Sequence, residues 1–410
     1  SQKVITTIPM QSIKQIYKIG FGPSSSHTIG PQRAASLFGQ NHPEAASFRV
    51  TLYGSLAATG RGHHTDLAIS RSLEPRQVEL VWRADISPDF HPNGMLFEAI
   101  DAEGQSLDAW KVYSIGGGNL ATEEGPVPIE GEDDSERYPH SLMRDILLYI
   151  KQNGLSFWEY VEQHEASDLW DFLARAWRQM CDTVEEGLQD DRVISGGLHL
   201  RAKAHQYHMR ASGFKPSLQS RALVAAYALA TSERNASGGT VVTAPTCGSS
   251  GVLPAVLYHL YKNHGFSERE ILRAMATAAL FANIIKTNAS ISGAEVGCQG
   301  EVGSACVMAA VAACQLFGGS PSQVEYAAEM AMEHNLGLTC DPLCGLVQIP
   351  CIERNVMAAL RALDINIYAL MSDGEHIVPF DKVVRTMKRT GKDMPILYRE
   401  TSLGGLALED

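Results

Sequence analysis

The chain has 410 residues, too long for one compact core and about right for two or three domains. With 45% hydrophobic and 20% charged residues its composition is ordinary for a globular protein, which excludes disorder and coiled coil. Lys and Arg number 34 against 46 Asp and Glu, and a net charge of −12 repels phosphate backbones, so nucleic acid is not an expected partner. There is no uncharged apolar run of about 18 residues, so no membrane span is predicted. The opening SQKVITTIPMQSIKQ lacks the apolar core of a secretory signal. Eight cysteines are too sparse for a disulfide scaffold, and without an export signal a reducing cytoplasm is the expected compartment.

Helical spacing over Gln32–Gln40 is followed by a β-rich run over Phe48–Ser55, and helical spacing returns over His63–Leu73. Further β-rich runs cover Val78–Asp85, Met95–Gly104 and Asp108–Gly118, the last two joined by a turn around 102–105. The stretch ATEEGPVPIEGEDDSERYPH (121–140) is acidic, proline-bearing and without apolar period, which predicts a boundary. Beyond it nearly everything reads as helix. Capping boxes pair Ser156 with Glu159, Ser267 with Glu270 and Ser320 with Gln323, the last with Pro321 at the first helical position. The Ala-rich runs 272–286 and 302–317 carry few charges, which predicts helices inside a bundle. The expected fold is α+β: a mixed α/β domain over 1–122, an acidic linker over 123–140 and a large all-α catalytic domain over 141–410.

Seven of the eight cysteines lie between Cys247 and Cys351. Cys306 and Cys314, eight residues apart in an Ala-rich helix, read as core filling, as does Cys181 in an amphipathic helix. Cys298 (ISGAEVGCQGEVG), Cys340 (NLGLTCDPLCG) and Cys351 (VQIPCIERN) stand instead in Gly- or Pro-bearing polar loops, a setting suited to ligands. Their spacing is neither a zinc signature nor a ferredoxin run, so spacing alone leaves a metal site open. Three thiolates on an iron–sulfur cube leave one iron without a protein ligand, an open Lewis acid like three-ligand catalytic zinc. Cys344, four residues from Cys340, would close that position if it were a ligand; it is taken as a structural neighbour.

Several long strings together resemble the bacterial iron–sulfur L-serine dehydratases (L-serine ammonia-lyases) of single-chain type. They are IGFGPSSSHTIGPQRAA, YGSLAATGRGHHTDLAI, NASGGTVVTAPTCGSSGVLPAVL, NASISGAEVGCQGEVGSACVMAA and MEHNLGLTCDPLCGLVQIPCIERNVMAA, with GKDMPILYRETSLGGLA near the end. The likeness runs from about Phe21 to Ala407 in the family's order. It implies a β domain followed by a catalytic α domain, and a 4Fe–4S cluster with one non-cysteine-ligated iron held by Cys298, Cys340 and Cys351. The departures are a short region around Ile86–Asn93, cysteines at 247 and 344, and an ending, LALED, without a cysteine tail.

Eliminating water from L-serine requires a base for the α-proton and an electrophile for the departing hydroxide. The base candidates are His63 first, then His64 and His27; GRGHHTD supplies the first two and Asp66 to orient them. Ser24, Ser25, Ser26 and Thr28 surround His27 ahead of a helix starting near Pro31, a run of hydroxyls and amides suited to a carboxylate, or else a plain capping turn. If both motifs act, the site lies between the domains. Asn288, Ser290 and Ser292 are further substrate-binding candidates, and Thr243, Pro245, Thr246 and Gly248 form a second polar loop. Glu295 and Glu301 flank the first cysteine and either bind ammonium or pair with Arg or Lys.

Two rivals remain at this point. YSIGGGNL superficially resembles a phosphate-cradling glycine loop of a pyridoxal-phosphate enzyme, although no lysine stands in a Schiff-base setting. A non-catalytic iron–sulfur sensor would be favoured by a closed four-thiolate site. One methyl group changes selectivity by only about 1–3 kcal/mol, so L-threonine stays an alternative substrate. Paired apolar helices make a homodimer the expected assembly.

Overall fold

A computed structural model describes residues 8–129, 132–133 and 135–408. After two short strands, β1 (Met10–Gln11) and β2 (Ile19–Phe21), and the helix α1 (Gly30–Asn41), the chain builds an α/β layer. Its strands are β3 (Ser47–Tyr53), β4 (Gln77–Arg83), β5 (Gly94–Ile100), β6 (Ser106–Gly116), β7 (Asn119–Thr122) and β8 (Gly125–Pro126). They form one sheet in the order β4-β3-β5-β6-β7-β8. Only β3 and β4 run parallel, which demands a crossover, and α2 (Gly54–Thr59) with α3 (Thr65–Leu73) supplies it. Phe48, Val50 and Leu52 alternate inward along β3 and meet Phe97 of β5 and Ala34, Ala35 and Phe38 of α1. The glycine run 116–118 is the turn between β6 and β7, all three residues at positive φ, so it carries a hairpin and no phosphate loop.

After β9 (Glu136–Tyr138) the chain is almost wholly helical: α4 (Met143–Asn153), α5 (Phe157–His164), α6 (Leu169–Gly187), α7 (Ala204–Ala211) and α8 (Pro216–Ala236) come first. The strand β10 (Thr240–Val242) leads to α9 (Val252–His264), α10 (Glu268–Asn288), α11 (Gly293–Val296) and α12 (Val302–Leu316). The last three are α13 (Pro321–Glu333), α14 (Cys351–Met371) and α15 (Phe380–Asp393). All three capping boxes form, at the starts of α5, α10 and α13. Helix α12 is buried at every residue from Val302 to Cys314, as an all-apolar helix must be, with α9, α10, α13 and α14 around it. Among the described residues no single helix is long and apolar enough to cross a membrane.

The first segment belongs to the helical body. Met10, Ile13, Ile16 and Tyr17, placed with the α/β domain by the sequence reading, pack into the helical core. β1 pairs with β9 and β2 with β10, both antiparallel. These strands are two or three residues long, too short to leave a period in the sequence, and their partners lie more than a hundred positions away. The acidic stretch likewise carries β8 and β9, and its Glu132 accepts from Lys18 (3.0 Å) and Arg33 (2.5 Å), joining the two parts.

Helices α6 and α8 approach closely at Gly187. A methyl group there would overlap the backbone of Ala230. Gly187→Ala is therefore expected to lower stability by about 1–3 kcal/mol, read as a fall in the denaturant midpoint with secondary structure retained.

Candidate active site

Loops from the helical body and turns from the α/β layer converge on one narrow cavity. Cys298 sits in a 3₁₀ turn (Gly297–Gln299) between α11 and α12, Cys340 in the extended loop after α13, and Cys351 at the first position of α14. The Cys298 amide donates to Leu338 O (3.0 Å) and the Cys340 amide to Tyr398 O (2.8 Å), so the loops are stitched to each other and to the C-terminal segment. All three cysteines line the cavity, with Ser24 and His63 from the other part of the chain, and with Glu301, Arg354 and Glu400.

The donor set is buried or half-buried and rich in acids. Burial pushes the thiols of Cys298, Cys340 and Cys351 up, with Arg354 partly offsetting this at Cys298 and Cys351. Burial also raises Glu301 to about 7, and Glu400 lies well above the usual carboxylate range through burial and then its neighbour Glu301. Arg354 is the one lysine or arginine side chain lining this cavity among the described residues. Three thiols and the carboxyls of Glu301, Glu400 and Asp341 cannot all ionise together there without more positive charge. Soft sulfur donors in that state suit a thiophilic polycation, which would deprotonate them outright. The other cysteines are placed differently: Cys344 is exposed and outside the lining, while Cys247, Cys306 and Cys314 are buried. All eight are free thiols.

His63 lies in the turn between α2 and α3, and His27 in a π-helical turn (Ser25–Ile29) that runs into α1. Their rings pack edge to face with centroids 4.5 Å apart. Burial holds both imidazoles neutral, His63 at about 3 and His27 well below its usual value. The Thr59 hydroxyl donates to Ser55 O (2.9 Å), so it accepts from Nδ1 of His63 (3.1 Å). The free lone pair of His63 is thus on Nε2, which has no partner among the described residues. His27 has no such freedom, because Ser26 Oγ and Ser55 Oγ each lie 2.8 Å from one of its nitrogens. His64 is in the left-handed region (φ 57°), precedes α3 and does not line the cavity.

Of the hydroxyls predicted to bind substrate, Ser24 alone lines the cavity, and its Oγ caps the turn by accepting from the His27 amide (3.1 Å). Thr28 donates to His63 O (2.7 Å), Ser26 holds His27, and Ser25 Oγ accepts from the Cys247 amide (3.4 Å); these side chains build the turn. Asn288 donates to Ser141 O and Ile284 O (2.7 and 2.9 Å), away from the cavity. Ser290 Oγ accepts from the Ser292 amide (3.0 Å), and Ser292 packs beside Gly116 of the β6–β7 turn. Neither residue lines the cavity. Glu295 is half-exposed, whereas Glu301 is in the cavity and Gly248 reaches it from the second polar loop.

Glu400 and Arg354 were not singled out from the sequence. Glu400 belongs to the family-like string YRETSLGG, but nothing in that string shows that it folds back onto Cys340. Donor atoms of Glu400, His27 and His63 lie within 4.8 Å of one another, and so do those of Glu400, Glu301 and Cys340.

Comparison with known proteins identifies the family. A family model described as serine dehydratase alpha chain matches residues 94–407, and one described as serine dehydratase beta chain matches 12–81. The chain is 41% identical to L-serine dehydratase of Streptomyces coelicolor over 449 aligned positions, covering 97% of this chain and 98% of that protein. It is 39% identical to L-serine dehydratase 2 of Escherichia coli, covering 98% and 99%. It is 36% identical to L-serine dehydratase of Helicobacter pylori, covering 97% and 98%. In the first alignment 97% of 410 is about 398 residues against 449 positions, so that relative carries about 51 positions (449 − 398) that this chain lacks.

Proposed function

The chain belongs to the serine dehydratase family, with beta-chain and alpha-chain parts in one polypeptide, and from that premise we propose that it converts L-serine to pyruvate and ammonia by β-elimination of water. The observation that carries the reading is the single cavity lined both by three cysteines of the helical body and by His63 of the α/β layer, whose Nε2 has no partner among the described residues. Cys298, Cys340 and Cys351 would hold a 4Fe–4S cluster. When bound, such a cluster with three protein thiolates supplies an iron without a protein ligand, a Lewis acid for the serine hydroxyl.

The chain's own residues do the remaining work. His63 takes the α-proton at Nε2; burial keeps that nitrogen unprotonated, and Thr59 fixes the tautomer and the ring. His27, tied down at both nitrogens, packs against His63 and holds it in place. Arg354 supplies positive charge beside the thiolates of Cys298 and Cys351, a setting that favours their ionised form. The enclosed cavity excludes water while the aminoacrylate forms, and release into solvent completes hydrolysis to pyruvate.

Anaerobic purification tests the proposal. A brown protein absorbing broadly near 400 nm and forming pyruvate from L-serine is the expected result; a colourless active protein refutes it. Activity is expected to fall on exposure to air together with the 400 nm band, since an iron with an open position oxidises readily. Eight free thiols and an oxygen-sensitive centre suit a reducing cytoplasm. A homodimer is supported by exposed apolar side chains on α14, among them Met357, Ile367, Tyr368 and Met371, and light scattering at micromolar concentration reads it.

A further inference from the structure

L-Serine carries an ammonium group on the same carbon that loses its proton. Its partner must therefore be an anion next to the base, inside a cavity that otherwise desolvates the charge at considerable cost. Glu400 is placed for both, and a bound ammonium ion would supply the counter-charge whose lack holds its carboxyl above the usual range. It is buried, and its carboxylate is the only group shared by the two clusters of donor atoms, one containing the histidines His27 and His63, the other Glu301 and Cys340. Oε1 lies 3.3 Å from His27 Nδ1. Oε2 is buried without a hydrogen bond of normal geometry, although the Ala294 amide approaches the carboxylate. Among the described residues no lysine or arginine pairs with it.

The backbone holds this side chain in place against its own preference. Glu400 has φ 59° and Ser402 has φ 54°, a region disfavoured for non-glycine residues. The conformation is locked from both parts of the molecule: the Glu400 amide donates to Cys340 O (2.6 Å), and Ser55 of α2 donates to Glu400 O. Gly293 makes room opposite, since a Cβ there would stand 2.5 Å from Glu301 Oε2, 3.2 Å from Glu400 Oε2 and 3.3 Å from Cys340 Sγ. Two other acids line the cavity: Glu301 is not part of the cluster containing His63, and the Asp341 carboxylate already accepts from Thr339 Oγ1 (3.0 Å) and the Leu406 amide (2.7 Å).

We infer that the Glu400 carboxylate binds the α-ammonium group of the substrate and makes the site selective for an amino acid over the corresponding hydroxy acid. The inference rests on the serine dehydratase reading and names the recognition element within it. L-Glycerate, with a hydroxyl in place of the ammonium, is the probe.

Glu400→Gln keeps the shape of the side chain and removes its charge. After anaerobic reconstitution to wild-type iron and sulfide content, L-serine binding and KM are expected to weaken about 10- to 150-fold. L-Glycerate binding, measured by calorimetry, should stay within about threefold of wild type. Glu301→Gln should retain the wild-type ratio of serine to glycerate affinity. Equal losses for both ligands in Glu400→Gln, no loss for either, or a collapse of the ratio in Glu301→Gln instead, overturn the assignment. The wild-type protein gives a second check that needs no variant: L-serine must bind at least about tenfold tighter than L-glycerate, and equal binding overturns the inference. A fully loaded wild type that forms no pyruvate would reject the dehydratase reading itself, a result distinguishable from a variant that simply keeps its selectivity.

Discussion

Cys340→Ala is expected to abolish pyruvate formation, by about a thousandfold or more, and to strip the protein of iron and sulfide; Cys298→Ala and Cys351→Ala should behave alike. The three thiols line one cavity and each is held above its usual pKa by burial. With one thiol removed, the remaining two lose the positive charge that allowed them to ionise, so partial cluster retention is not the expected outcome. Cys344→Ala is the control. Its side chain is exposed and does not line the cavity, so iron, sulfide and activity should match wild type. Full activity at normal iron content in any of the three ligand variants would refute the assignment, and loss of the cluster in Cys344→Ala would point to a closed four-thiolate site.

His63→Asn should leave the cluster spectrum and iron content intact while turnover falls about 10²- to 10⁴-fold, the usual contribution of a positioned base. The amide nitrogen of asparagine can still reach Thr59, so the turn should survive, but no basic nitrogen then faces the cavity. His64→Asn is expected to cost far less, because that side chain stands outside the lining. Unchanged turnover in His63→Asn would move the base role elsewhere. The comparison is best made as isotope-sensitive steady-state kinetics with α-deuterated serine, since only loss of the base should enlarge the isotope effect.

Several helices and their caps are legible in the chain itself. Capping boxes and long apolar helices are local signals, and Ser267 with Glu270 or Val302–Cys314 express them without help from distant residues. The three cysteines stand out because glycine and proline surround them, and the histidines because GHHTD resembles a motif of the serine dehydratases and imidazole suits a near-neutral base. What escaped was every feature created by return of the chain. Met10 and Ile13 look like part of the first domain until β9 and α10 are seen to receive them. Ser25, Ser26 and Thr28 look like an anion cradle until their hydroxyls are found occupied by His27, His63 and the Cys247 amide. Asn288 sits ten residues before Cys298, yet a helix end turns its amide toward Ser141. Glu400 is unremarkable in sequence because its role depends on a loop laid across Cys340, a contact between positions 60 apart.

The pairing of Ile19–Phe21 with Thr240–Val242 bears on how this molecule tolerates being cut. A leading ribbon woven into the far half means that the covalent link after the sheet is not what keeps the halves together. A single protease nick ahead of Glu136 should leave two fragments that migrate separately in denaturant yet co-elute and turn over serine under native conditions. By the same token, a gene divided at that point would still yield a working enzyme from two polypeptides.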